Sequence, residues 1–201
     1  GILEYRGYPI EQLAEHATYL EVAYLLLFGD LPTAAELAEW QESVNIHRLI
    51  HENTKQVIDA LRYDAHPMPK MMAAVASMNT FYPDARDLTS PQSWYENSIR
   101  LIGKMPTVAA FAYRHSLGRH FVYPDDNLGY VENFLAMMFT QMERKYHRDE
   151  RLTRAVEVLF ILHADHEQNC STSAVRTVAS AGNDLYTSIV AGIGALYGPL
   201  H

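Results

Sequence analysis

Cysteine is almost missing from this chain: Cys170 is the only one in 201 residues. That excludes a disulfide framework within the chain and fits a reducing compartment. No run of 18 or more apolar residues is present, so a membrane-spanning helix is not expected. The nearest stretch, Leu185 to Leu200, is broken by Thr187, Ser188, Gly192, Gly194, Gly198 and Pro199. Basic residues are scarce too, 16 Lys and Arg against 24 Asp and Glu, for a net charge of −8. Duplex binding rests on a basic face, so no nucleic-acid partner is expected, whereas a small anionic ligand needs only a few local cations. Gly1-Ile2-Leu3-Glu4-Tyr5-Arg6 has neither a basic nor a long apolar stretch, so it does not read as a signal peptide. The chain lacks an initiator Met, and Tyr197-Gly198-Pro199-Leu200-His201 reads as the start of a new element, so it is expected to be cut at both ends.

What is present is a helical pattern. With 48% hydrophobic residues and no repeat or Ser/Gly-rich linker, the chain forms one domain or part of one, with a real core. Gly1 to Tyr8 alternates and can turn at Gly7, which predicts a short strand or hairpin. The rest predicts an all-α architecture of about nine or ten helices. Pro9 opens Ile10 to His16, and Thr18 caps Tyr19 to Phe28, which Gly29 ends. Thr33 and Glu36 have capping-box spacing for a helix through about Val44. Ile50 to Arg62 follows. His66-Pro67-Met68-Pro69 is a break, and the face from Met71 to Met78 is core. Ser90-Pro91 starts a long helix towards Gly118, in which Pro106 predicts a kink or a division into two. Leu128 to Gln141, Asp149 to Leu162, Ser171 to Ala181 and Asp184 to Leu196 complete the set. Val22 to Phe28, Phe134 to Phe139, Val156 to Leu162 and Ile189 to Leu196 are apolar nearly all round, so they are expected to be buried on more than one side.

One polar cluster follows the very apolar Val158 to Leu162: His163-Ala164-Asp165-His166-Glu167-Gln168-Asn169. Ionisable groups beside a buried segment are costly unless paired or used. His163 and His166 are three apart and share a face if this turn is helical. The cluster is either a site or a polar helix end, with Ser171 or Thr172 capping the next helix. A zinc reading is weak, because the helical motif needs His at i and i+4 with Glu after the first, and here the spacing is three with Glu167 after the second. A second candidate is His201. If Pro199 is N1 of a helix, His201 falls near N3, where the positive field favours a neutral imidazole able to donate to a developing enolate. The other reading is a histidine left at a cut end. His47 and His51 read as one solvated helix face, Arg100 and Lys104 as a surface stripe, and His115, Arg119 and His120 as partners of a helix C-terminus.

At these two clusters the chain resembles the citrate synthase family. Glu4-Tyr5-Arg6-Gly7-Tyr8-Pro9-Ile10, His66-Pro67-Met68, Lys104-Met105-Pro106-Thr107, Phe121-Val122-Tyr123-Pro124 and Asn133-Phe134-Leu135 occur in the family's order. Leu162-His163-Ala164-Asp165-His166-Glu167-Gln168-Asn169 and Gly194-Ala195-Leu196-Tyr197-Gly198-Pro199-Leu200-His201 then follow. The resemblance implies a helical homodimer or larger homo-oligomer that condenses acetyl-CoA with oxaloacetate to citrate and CoA, with no metal and no cofactor. It implies that His201 is the catalytic histidine at the thioester oxygen, that His166 and Asn169 bind oxaloacetate, and that His163 supports them. Residues 1–201 would be a partial domain, the N-terminal part of the large helical domain, without the small domain. The general-base Asp, a second catalytic His and the substrate arginines would lie beyond His201, so the chain alone is expected to be inactive. Gln168-Asn169-Cys170-Ser171-Thr172-Ser173 is closer to citrate synthase than to its 2-methylcitrate relative. Arg100 and Lys104 resemble positions near a nucleotide site in one bacterial branch, without enough of that site to imply NADH inhibition. The family occurs in bacterial cytoplasm, mitochondrial matrix and peroxisome. A metal-dependent hydrolase using His163, His166 and Glu167, and a catalytically dead helical interaction module, are the competing readings.

Overall fold

The structure, a computed structural model, describes residues 2–141, 144 and 146–201. Gly1, the first residue of the predicted hairpin, lies outside the described residues. Strands β1 (Glu4–Tyr5) and β2 (Tyr8–Pro9) pair antiparallel, Tyr5 opposite Tyr8. Arg6 and Gly7, with φ of 51° and 87°, make the tight turn between them, a geometry that suits the twist of a two-residue hairpin. Ten α-helices follow among the described residues: α1 (Ile10–His16), α2 (Tyr19–Phe28), α3 (Ala34–Asn45), α4 (Glu52–Asp59), α5 (Pro67–Met78), α6 (Pro91–Ser116), α7 (Tyr130–Phe139), α8 (Glu150–Leu162), α9 (Cys170–Ala179) and α10 (Leu185–Leu196), with a 3-10 turn at Pro83–Arg86. The all-α expectation holds.

The boundaries follow local chemistry. Thr18 and Thr33 each form a full capping box, with Glu21 and Glu36. Ser90 accepts from the Ser93 amide, with Pro91 behind it at N1. The break at His66 is itself a helix start: His66 Nδ1 accepts from the Met68 amide at 3.2 Å. Pro106 does not divide the long helix, which runs through it. Proline lacks the N–H that would bond the carbonyl four residues back. Here the Tyr130 hydroxyl, from α7, donates to that Ile102 carbonyl at 2.7 Å and replaces the missing bond.

Three clusters form the core. Ile58, Ala74, Val75, Val108, Phe111 and Tyr186 join α4, α5, α6 and α10. Tyr5, Leu13, Val22, Leu25 and Ile161 join the hairpin to α1, α2 and α8. Leu20, Trp40, Val44 and Ile99 join α2, α3 and α6. The helices that are apolar all round are not fully enclosed: Phe28, Phe139, Leu159 and Leu196 are exposed.

Two sequence expectations fail, and a third holds only for His115. His47 and His51 do not share a helix face: His47 follows α3, and His51 is the N-cap of α4, its Nδ1 accepting from the Asn53 amide at 3.0 Å. A side-chain acceptor there satisfies a donor that the helix cannot. Arg100 and Lys104 are not a surface stripe. Arg100 pairs with Asp84 at 2.6 Å and Glu96 at 3.1 Å, its guanidinium over the Tyr82 ring. Lys104 is buried and donates to the His47 and Leu49 carbonyls at 3.0 and 2.6 Å. Of His115, Arg119 and His120, His115 lies in the last turn of α6 and the other two lie beyond it, and the residue that binds carbonyls is their buried neighbour Arg114. It donates to Met138 O and Thr140 O, at the end of α7, and to His120 O.

Candidate functional site

The polar cluster forms the turn between α8 and α9. Helix α8 ends at Leu162 and α9 begins at Cys170. Its cap is Asn169, not Ser171 or Thr172: Asn169 Oδ1 accepts from the Thr172 amide at 2.9 Å. Asn169 thus has a structural duty whatever else it contacts, and Ser171, freed from capping, points elsewhere. Within the turn the Glu167 amide donates to Asp165 Oδ1 at 3.1 Å, and Glu167 has a φ of 57°. A left-handed non-glycine residue is sparsely populated backbone, of the kind that gathers at functional turns.

Tyr5 holds this turn from the far end of the sequence. Its hydroxyl donates to Ile161 O at 3.0 Å or Asp165 O at 2.8 Å, and the Asp165 amide donates back to it at 3.2 Å. Burial pushes the Tyr5 phenol up from its ordinary value, so it keeps its proton. No local signal in Glu4-Tyr5-Arg6 marks this role, because the partners lie about 160 residues away.

The two histidines of the cluster are neighbours, ring centroids 5.8 Å apart, and both are exposed. His163 Nδ1 lies 2.7 Å from Leu159 O, and His166 Nε2 lies 2.6 Å from Leu162 O. A carbonyl only accepts, so each of those ring nitrogens carries a hydrogen. That leaves His163 Nε2 and His166 Nδ1 free. His163 also borders a largely apolar cavity of about 420 Å³, lined by Met71, Met105, Phe134 and Phe160 among others.

His201 joins this assembly. The predicted helix start at Pro199 is not seen: Gly198 to His201 forms a turn, closed by the His201 amide donating to Gly198 O at 3.1 Å. A helix there would need amides from residues beyond 201. The imidazole instead reaches the first turn of α9, with His201 Nε2 2.8 Å from Ser171 Oγ. The helix N-terminus near His201 is therefore that of α9. Ser171 Oγ also lies 2.9 Å from Gly192 O on α10. Ser171, one of the two caps that the sequence allows, is instead the hydroxyl that meets His201, and only its place two residues after Asn169 hints at that. Among the described residues no group of three His, Cys, Asp or Glu is placed to hold a metal ion.

The structure thus defines a helical protein with two neighbouring exposed imidazoles on the α8–α9 turn and a third, after α10, against the first turn of α9. The family model described as citrate synthase, C-terminal domain, matches residues 1–201. The chain belongs to the citrate synthase family. It is 48% identical over its full length to citrate synthase 1 of Mycobacterium tuberculosis, of which it covers 47%, and 48% identical to a peroxisomal citrate synthase of Dictyostelium discoideum, of which it covers 42%. Among solved structures it superposes on citrate synthase from Pyrobaculum aerophilum with a TM-score of 0.89 and 42% identity, covering all of this chain and 51% of that one. It also superposes on the Thermoplasma acidophilum enzyme in ternary complex with carboxymethyl coenzyme A and oxaloacetate, with a TM-score of 0.88 and 31% identity, again covering 51% of that chain. The chain spans about half the length of the relatives it matches. No described helix is long and apolar enough to cross a membrane.

Proposed function

We propose that this chain supplies the imidazoles of a citrate synthase site, which joins acetyl-CoA to oxaloacetate and releases citrate and CoA. The observation that carries the reading is the 2.8 Å contact of His201 Nε2 with Ser171 Oγ, which draws the last residue to the first turn of α9, directly after the His163–Asn169 turn in sequence. Loss of a methyl proton from acetyl-CoA puts negative charge on the thioester oxygen. In this reading His201 donates an N–H to that oxygen. In the neutral ring, Nδ1 carries the hydrogen outward only when Ser171 turns its one proton from Gly192 O to Nε2. The enolate carbon then attacks the ketone of oxaloacetate, and water cleaves the thioester. His166 has Nε2–H committed to Leu162 O, so it meets the dianion through Nδ1 and donates there as the imidazolium. Asn169, at the same turn, is a second substrate contact, and His163 supports His166. The methyl proton needs a positioned base. The family resemblance puts that carboxylate, the second histidine and the substrate arginines beyond His201, so residues 1–201 form part of the large helical domain of a homodimer. No metal or cofactor takes part in this reading.

The test is made in the full-length product of the gene encoding this chain. His201→Ala is expected to lower kcat by roughly 100- to 1000-fold with a modest change in the KM for oxaloacetate. His166→Ala is expected to weaken oxaloacetate binding by roughly 10- to 100-fold, the loss of one charge-assisted hydrogen bond. Unchanged kinetics in both variants would reject the assignment. The 201 residues alone are expected to release no CoA above background.

A further inference from the structure

Helices α9 and α10 meet where there is no room for a side chain. A Cβ placed on Gly192 would lie 2.6 Å from Val175 Cγ2, 3.6 Å from Ser171 O and 3.9 Å from Ser171 Cβ. Val175 is β-branched and strongly prefers one rotamer in a helix, so its methyl cannot swing aside cheaply. Ser171 and Val175 are four residues apart on α9 and share a face; both lie over Gly192. At this crossing Ser171 Oγ is 2.9 Å from Gly192 O and 2.8 Å from His201 Nε2.

We propose that Gly192 is a positioning residue for His201: by letting α10 close on α9, it holds the Ser171 hydroxyl in reach of the imidazole. The inference rests on the role proposed for His201. A methyl group at 192 must move from 2.6 Å to an ordinary contact distance, which parts the helices by roughly 1 Å. Ser171 travels with α9. His201 follows α10 through a short turn, in which the Tyr197 amide bonds Ile193 O and the Gly198 amide bonds Ala195 O. The 2.8 Å contact then opens to roughly 3.8 Å, past hydrogen-bond range.

The experiment compares four variants of the full-length protein by kcat, KM for oxaloacetate and thermal midpoint. Gly192→Ala is expected to lower kcat about 10- to 100-fold, the effect of a displacement of this size, with KM little changed. Val175→Ala/Gly192→Ala removes the clashing methyl and is expected to recover most of the lost kcat. Ser171→Ala, which removes the link without a clash, is expected to lower kcat with KM little changed. Wild-type kcat in Gly192→Ala, or no recovery in a double variant with a wild-type thermal midpoint, would overturn the proposal. If Gly192→Ala does not fold, Ser171→Ala decides, since full activity there breaks the chain from Gly192 to His201. His201→Ala separates the two readings: unchanged kcat in that variant sinks the role proposed for His201, whereas a loss there beside full activity in Ser171→Ala and Gly192→Ala sinks this inference alone.

Discussion

In α4, α5 and α6, Ile58, Ala74, Val75, Val108 and Phe111 are wholly shielded from solvent; in α9 no residue is buried, and in α8 only Ile161 is. The first region is held by apolar packing. The turn that carries His163 and His166 is tied down largely by hydrogen bonds to main-chain groups, while α9 beyond it packs closely on α10 at Gly192. Tyr5 binds the end of α8 and the turn after it. Arg154 ties α8 to α1, donating to Ala14 O at 2.6 Å, Glu15 O at 2.8 Å and Ala17 O at 2.9 Å. Asn169 and Asp184 cap α9 and α10. Packing resists compression from every side but says little about direction, whereas hydrogen bonds fix direction and break singly. A turn that must aim rings and still admit a ligand suits the second kind of support, and its local stability is expected to be the lower of the two.

Substitutions in each region can break that contrast. The largest loss is expected in the packed region. Phe111, stacked 4.3 Å from Phe121 and edge-on to Tyr123, has no exposed surface. Phe111→Ala should cost about 3–5 kcal/mol in urea unfolding, and a loss below about 1 kcal/mol would show that the α4–α6 core relaxes freely.

Lys104 is a charge inside the packed region, and it makes the comparison pH-dependent. Burial, with repulsion from Arg100 added, lowers its ammonium from 10.5 to about 8. Below about pH 8 both the folded and unfolded chains hold the proton, and the cost of the buried charge is fully present. Between about 8 and 10.5 the unfolded chain holds a proton that the folded one has released, so stability rises with pH. The wild type should therefore gain on Lys104→Met across that window, by at most about 3 kcal/mol, in unfolding curves taken at several pH values. A flat difference would mean that the carbonyls of His47 and Leu49 keep Lys104 charged.

The smallest loss is expected in the hydrogen-bonded region. Tyr5→Phe leaves the carbonyls of Ile161 and Asp165 short of a donor and should cost roughly 1–2 kcal/mol. Amide exchange should quicken between residues 162 and 167 and stay unchanged in α5 and α6. Equal acceleration in both regions would show that they open as one unit, against the contrast drawn here.

The readable parts of the sequence were the local ones. Thr18 with Glu21, Thr33 with Glu36, Ser90 with Pro91, and Gly29 each act within four residues, and the helices start or stop where they stand. His51 was misread because an imidazole acceptor at a helix start has no spacing signature of its own. That Pro106 does not divide α6 was not legible locally, because the bond that replaces its missing one comes from Tyr130, on another helix. Arg100 and Lys104 have the spacing of an exposed stripe, and only the packing of α3 and Tyr82 against α6 makes them internal. In the candidate site, the His163–Asn169 cluster stood out because ionisable groups next to an apolar run are conspicuous. Ser171 beside His201 did not, since that contact joins residues 30 apart.

What the sequence determined alone is the helical architecture, most of its boundaries and the residue types available for chemistry, because periodicity, caps and composition act over one or two turns. What only the tertiary structure decided is which imidazole meets which hydroxyl, which charges are buried and which carbonyls receive a distant donor. Those depend on how closely two helices approach, and for α9 and α10 that distance is set by the absence of a single methyl group at Gly192.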